Sequence, residues 1–170
     1  MQYIAYTASI ISIILGVLEP FGKKMQTVLI LNFLGNFLVG ISYFFSETES
    51  MAGAAVCFVA CIQVIINFFF DRKNKKIPLY LILIYALSFL AVNLTVFSAW
   101  YDIFSIGATM IYVISMAQNN VGSYRILYAL NSSCWILYDV LSASYAPLLT
   151  HITLALFTFA AMFINRKKES

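Results

Sequence analysis

Residues 51–97 read MAGAAVCFVACIQVIINFFFDRKNKKIPLYLILIYALSFLAVNLTVF. Residues 51–70 are largely apolar, 71–76 are a charged run, and 77–97 are a second apolar stretch. A helix needs about 20 such residues to cross the hydrocarbon core of a bilayer. In lipid, every backbone N–H and C=O must be satisfied inside its own segment, so such a run is helical. The stretch therefore predicts two membrane-spanning helices joined by a basic loop. Pro78 is expected in the first turn of the second helix, where its missing N–H costs nothing.

The same pattern extends both ways along the chain. Seven runs qualify, at 3–19, 25–45, 50–70, 77–97, 99–118, 123–141 and 145–165. Pro20-Phe21-Gly22-Lys23-Lys24 breaks the first. Ser46-Glu47-Thr48-Glu49-Ser50 is a polar turn in which Ser50 or Thr48 is a helix cap. Gln118–Gly122 and Ser142–Ser144 supply later breaks, and the boundary near Ser98 is soft, so six spans compete with seven. Composition agrees, with 62% hydrophobic and 10% charged residues against about 25% charged in a soluble domain. A chain of 170 residues has too much surface to hide that apolar content in one water-soluble core. An ordinary soluble enzyme, a disordered tail and a nucleic-acid-binding module are excluded. A net charge of +3, scattered along the chain, is no nucleic-acid footprint. Cys57, Cys61 and Cys134 have neither metal nor disulfide spacing and read as small packing residues. No metal or cofactor is expected. The first 20 residues lack a basic leader region and read as a retained first helix.

The charges predict orientation, because Lys and Arg favour the cytoplasmic side. Lys23, Lys24, Arg72, Lys73, Lys75, Lys76, Arg125, Arg166, Lys167 and Lys168 are all ten basic residues. With seven spans they all fall on one side, and Glu47 and Glu49 fall on the other. The expected topology has the N-terminus outside and the C-terminus in the cytoplasm. Trp100, Tyr101 and Tyr145 sit at expected outer interfaces, where such rings prefer the headgroup level.

An offset of 95 lays the first three spans on the last three. Asn36 meets Asn131, Tyr43 meets Tyr138, and the basic run at 71–73 meets 166–168. The expected fold is all-α integral membrane, with two parallel three-helix bundles (1–76 and 99–170, the latter with a basic tail) joined by a linker helix (77–98). Such repeats place a substrate site near the midplane, at their interface.

Polar residues inside spans are costly and are functional hypotheses by default. Asn131, Trp135 and Tyr138 share one face of the sixth span. At about 1.5 Å rise per residue, Trp135 and His151 each lie about 9 Å from the outer ends of their helices. An indole face, an imidazole and a carboxamide at one depth suit a small polar solute. Asp139 and Asp102 lie nearer the outer mouth, as a gate or a cation site. Interhelical hydrogen bonding is the competing role for these residues, and for Asn32 and Asn36. Gly40 and Val56 occupy the first-half positions of Trp135 and His151, so any pocket is asymmetric.

The stretch Arg125-x5-Asn131-x3-Trp135-x2-Tyr138-x12-His151, ending in a basic tail, resembles the bacterial inner-membrane proteins of the YgjV family over most of the chain. More distantly, the 3+1+3 plan is similar to the SWEET sugar transporters and the PQ-loop (MtN3-like) group. That resemblance implies a pocket Trp at Trp135, with His151 standing where an Asn would be, and an outer-gate Tyr at Tyr138. The chain departs from it in lacking a Pro-Gln motif in the first and fifth spans. The expected function is a facilitative carrier of a small polar, sugar-like molecule, with Asn131, Trp135 and His151 binding and Tyr138, Asp139 and Asp102 gating. Asn36 and Tyr43 are the first-half counterparts. The alternative is a non-transporting structural or assembly partner. An enzyme is not expected, since one histidine without a nucleophile or paired carboxylates offers little acid–base chemistry. Lipid is the expected partner, nucleic acid is not, and a homo-oligomer is left open.

Overall fold

A computed structural model describes residues 2–45, 51–118 and 120–169. Among these, seven α-helices follow one another: α1 (Gln2–Leu18), α2 (Met25–Phe44), α3 (Met51–Arg72), α4 (Leu79–Thr95), α5 (Asp102–Met116), α6 (Val121–Leu141) and α7 (Tyr145–Glu169). A single 3-10 turn, Glu19–Phe21, extends α1. The soft boundary at Ser98 is a real break, so α4 and α5 are separate helices. Pro78 stands one position earlier than expected, extended at the N-cap of α4 rather than in its first turn. The proposed caps at Thr48 and Ser50, and the charges Glu47 and Glu49, lie outside the described residues.

The helix ends follow from local chemistry. Asn120 caps α6, its Oδ1 accepting from the Gly122 N–H at 2.7 Å. α3 closes with Asn74 in the left-handed region (φ 52°), and the Lys75 N–H reaches back to the Phe70 carbonyl. α6 closes the same way, with Ala143 at φ 55° and the Ser144 N–H on the Asp139 carbonyl. Both turns satisfy carbonyls that a helix C-terminus otherwise leaves bare.

Tyr3–Phe21, Met25–Phe44, Gly53–Arg72 and Pro147–Ile164 are long and apolar enough to cross a membrane. α4 and α5 are apolar but shorter, at 17 and 15 residues. α6 has the length, but Arg125, Asn131, Ser132, Ser133 and Asp139 make it more polar. Large apolar side chains cover the outside, including Leu79, Leu83, Leu87, Leu149 and Phe163. This is the surface of an all-α protein whose solvent is lipid.

The helices close into a ring. α2 packs between α1 and α3, α6 packs between α5 and α7, and α1 meets α7. α4 bridges α3 and α5. Asn93 ties α4 to α5, donating to Thr109 Oγ1 (3.3 Å) and accepting from Ser105 Oγ (2.7 Å). Asn67 ties α3 to α5 by donating to the Met116 carbonyl at 3.2 Å. Such bonds replace the hydrophobic drive that lipid does not supply between helices.

Gly53 lets α3 approach α2. A Cβ there would lie 2.8 Å from ring atoms of the buried Tyr43. An aromatic ring cannot yield as a flexible chain does, so Gly53→Ala is expected to cost about 1–3 kcal/mol by overpacking. Thermal unfolding in detergent, with Gly35→Ala as the comparison, measures it. Gly35 has open space around its Cβ position.

Candidate functional site: a polar cavity inside the ring

A cavity of about 40 Å³ lies within the ring, and all seven helices contribute to its wall. Ser12, Asn32, Asn36, Thr109, Asn131 and His151 make that wall unusually polar for a membrane interior. Trp135, Tyr112, Tyr128 and Phe89 supply aromatic faces.

One end of the cavity is built on α2, α6 and α7. The Tyr43 hydroxyl donates to Asp139 Oδ1 at 2.8 Å. His151 Nδ1 lies 2.6 Å from Asp139 Oδ2. The imidazole stacks on Trp135, with centroids 5.5 Å apart and planes 14° from parallel. Tyr138 packs edge-on against the other partners, 5.5 Å from Trp135 and 6.2 Å from Tyr101. Trp135 and His151 are thus at one level, as the rise arithmetic predicts. Asp139 differs from its expected place near the mouth. It is fully buried and sits behind Tyr43 and His151.

The opposite end is built on the 3-10 turn, α2, α5 and α6. Glu19 is buried, and its Oε1 accepts from the Tyr124 hydroxyl and from Asn32 Nδ2 (2.9 Å). Asn32 Oδ1 in turn accepts from the Tyr112 hydroxyl (2.7 Å) and from Asn36 Nδ2 (2.8 Å). Arg125 anchors the turn from α6, donating to the carbonyls of Pro20 (2.7 Å) and Gly22 (3.4 Å). A guanidinium on bare carbonyls is the expected complement of a helix C-terminus.

A family model, described as a bacterial inner membrane protein, matches residues 3–169. The chain belongs to the Imp-YgjV family. No curated protein and no solved structure matches it.

Within this Imp-YgjV chain, the equivalenced asparagines Asn36 and Asn131 both line the cavity. Asn131 also holds α6 to α5, donating to the Ala108 carbonyl at 2.7 Å. Asp102 stands apart from the cavity. Its Oδ2 accepts from the backbone N–H groups of Ser98 (2.7 Å) and Ala99 (2.9 Å), closing the α4–α5 loop. That carboxylate is engaged by the loop rather than held open at a mouth.

Sequence reasoning missed Glu19, Tyr112 and Tyr124. Glu19 sits beside Pro20 at the end of an apolar run, a place where a carboxylate is ordinarily solvated. The signal was present, because an acidic residue within a span marks function by default. The 3–19 run ends on Glu19, and the span in the structure continues to Phe21, so Glu19 lies within it rather than at its edge.

Proposed function

We propose that this protein carries a small polar solute across the bacterial inner membrane, with the central cavity as its occluded site. On this reading all seven helices span, the N-terminus is outside and the C-terminus is cytoplasmic. Residues 1–76 and 99–170 form two rocking bundles about the linker 77–98. The protein is a carrier and not an enzyme. The observation that supports the reading is the polar cavity itself, walled by side chains from both bundles. Trp135 and the His151 ring offer a stacking platform, and Asn36 and Asn131 offer carboxamides. A volume of about 40 Å³ holds about three waters and not a sugar. A sugar-sized solute therefore requires the bundles to part.

The test is reconstitution in liposomes with a panel of sugars, nucleosides and vitamins. Saturable flux of one class is the expected result. Absence of flux and of binding across the panel would overturn the carrier reading. One observation favours the second reading, a structural or assembly partner: Asn67, Asn93 and Asn131 all spend hydrogen bonds on holding helices together. A stoichiometric membrane partner on purification would support that alternative.

A further inference from the structure

We propose that Glu19 is a proton-binding site at the basic-loop end of the cavity, and that its proton is the coupling ion of transport. The coupling clause rests on the carrier reading; the proton site does not.

Glu19 is buried at the end of an apolar span and lines the cavity. A lone carboxylate in such a place is expensive unless it is paired or takes up a proton. No basic side chain among the described residues pairs with it. Arg125, on α6, donates to the Pro20 and Gly22 carbonyls. The partners of Glu19 are instead hydrogen-bond donors, the Tyr124 hydroxyl and the Asn32 amide.

That donor set selects a proton over a metal cation. A sodium or calcium ion needs several oxygen lone pairs turned toward one point. Here two donors converge on Glu19 Oε1, and two more occupy Asn32 Oδ1. The lone pairs of those two oxygens are already in use. The arrangement suits a carboxyl that exchanges one proton while neutral donors hold its other oxygen.

The other groups facing Glu19 are few. α6 presents Tyr124, Tyr128 and Arg125, and α5 presents Tyr112. α2 presents Asn32, with Lys23 and Lys24 in the loop before it. The titratable side chains described on α1 and α7, Tyr3, Tyr6, Tyr145 and His151, lie toward the other end of the ring. A pH response at this end is therefore assigned to Glu19. The second buried carboxyl, Asp139, is tied to His151 and is the natural control.

Infrared difference spectroscopy of the purified protein, titrated with acid and base, reads the protonated carboxyl band directly and needs no solute. The expected result is a titrating band that Glu19→Gln abolishes and Asp139→Asn retains. Gln keeps an oxygen for Tyr124 and Asn32, so the fold is expected to be kept. Should Glu19→Gln fail to fold, Tyr124→Phe removes one donor and is expected to move the midpoint of the same band. A band unchanged in Glu19→Gln, or in Tyr124→Phe where that variant stands in, overturns the proton site. Coupling is tested in liposomes by imposing a pH gradient. A solute flux that the gradient drives in wild type and not in Glu19→Gln supports coupling. A flux indifferent to the gradient overturns coupling and leaves the carrier intact. A titrating Glu19 with no solute flux overturns the carrier and coupling together and leaves the proton site standing.

Discussion

Replacing Asp139 by alanine is expected to cost about 3–5 kcal/mol of folding free energy, the range for removing one member of a buried pair. The carboxyl group serves two partners at once, the Tyr43 hydroxyl and His151 Nδ1. Its loss takes an acceptor from a hydroxyl on α2 and an imidazole on α7, and a lost partner inside the ring costs more than the bond itself. Asp139→Asn keeps an acceptor for one partner and is expected to lose less. Folded yield and the unfolding midpoint in detergent check both variants, and equal loss in the two would contradict this account. Tyr43→Phe removes one donor and leaves the His–Asp pair, so it is expected to fall below either.

Trp135→Ala is the second large effect, at about 3 kcal/mol. In water, truncating a buried Trp costs about 3–5 kcal/mol through transfer and cavity terms together. In lipid the transfer term shrinks, because the surroundings are apolar in either state. The cavity term remains, so the lower end of that range applies. The vacated space lies against the stacked His151 ring and opens the wall of the existing cavity. Trp135→Phe restores a ring and is expected to recover most of the stability. If Trp135→Phe regains stability but not solute flux, the indole acts on the solute. If both return together, it acts as packing.

The helices were legible because lipid imposes a simple rule, about 20 apolar residues and then a break. That rule located all seven helices and the break at 118–122, though not Asn120 as the cap of α6. It could not see side-chain direction. Counting rise puts Asp139 roughly 6 Å nearer the outer end than His151. In a helix, however, side chains lean toward the N-terminus. α6 and α7 run in opposite directions, so Asp139 leans inward while His151 leans outward, and they meet. The Trp135–His151 level was legible because both residues lie the same number of positions from the turn. Asp102 was legible as a residue at a helix end but not as a loop cap. Its partners are backbone groups, which leave no mark in residue type. Glu19 was hidden by Pro20, which reads as the end of a helix when the chain in fact continues for a 3-10 turn.

The polarity of α6 bears on how the protein is made. This helix reaches both ends of the cavity, through Tyr124 at one and Asp139 at the other. It carries an arginine, an asparagine and an aspartate, and unlike α1, α2, α3 and α7 it does not meet the apolar standard for crossing alone. A segment leaving the ribosome with these residues has little reason to leave the insertion channel for bare lipid. On the seven-span reading it partitions sideways only once earlier helices offer acceptors and donors. Its turn into α7 is three residues long, so the strongly apolar α7 follows at once and draws it in. On that reading α6 enters the bilayer as the companion of α7.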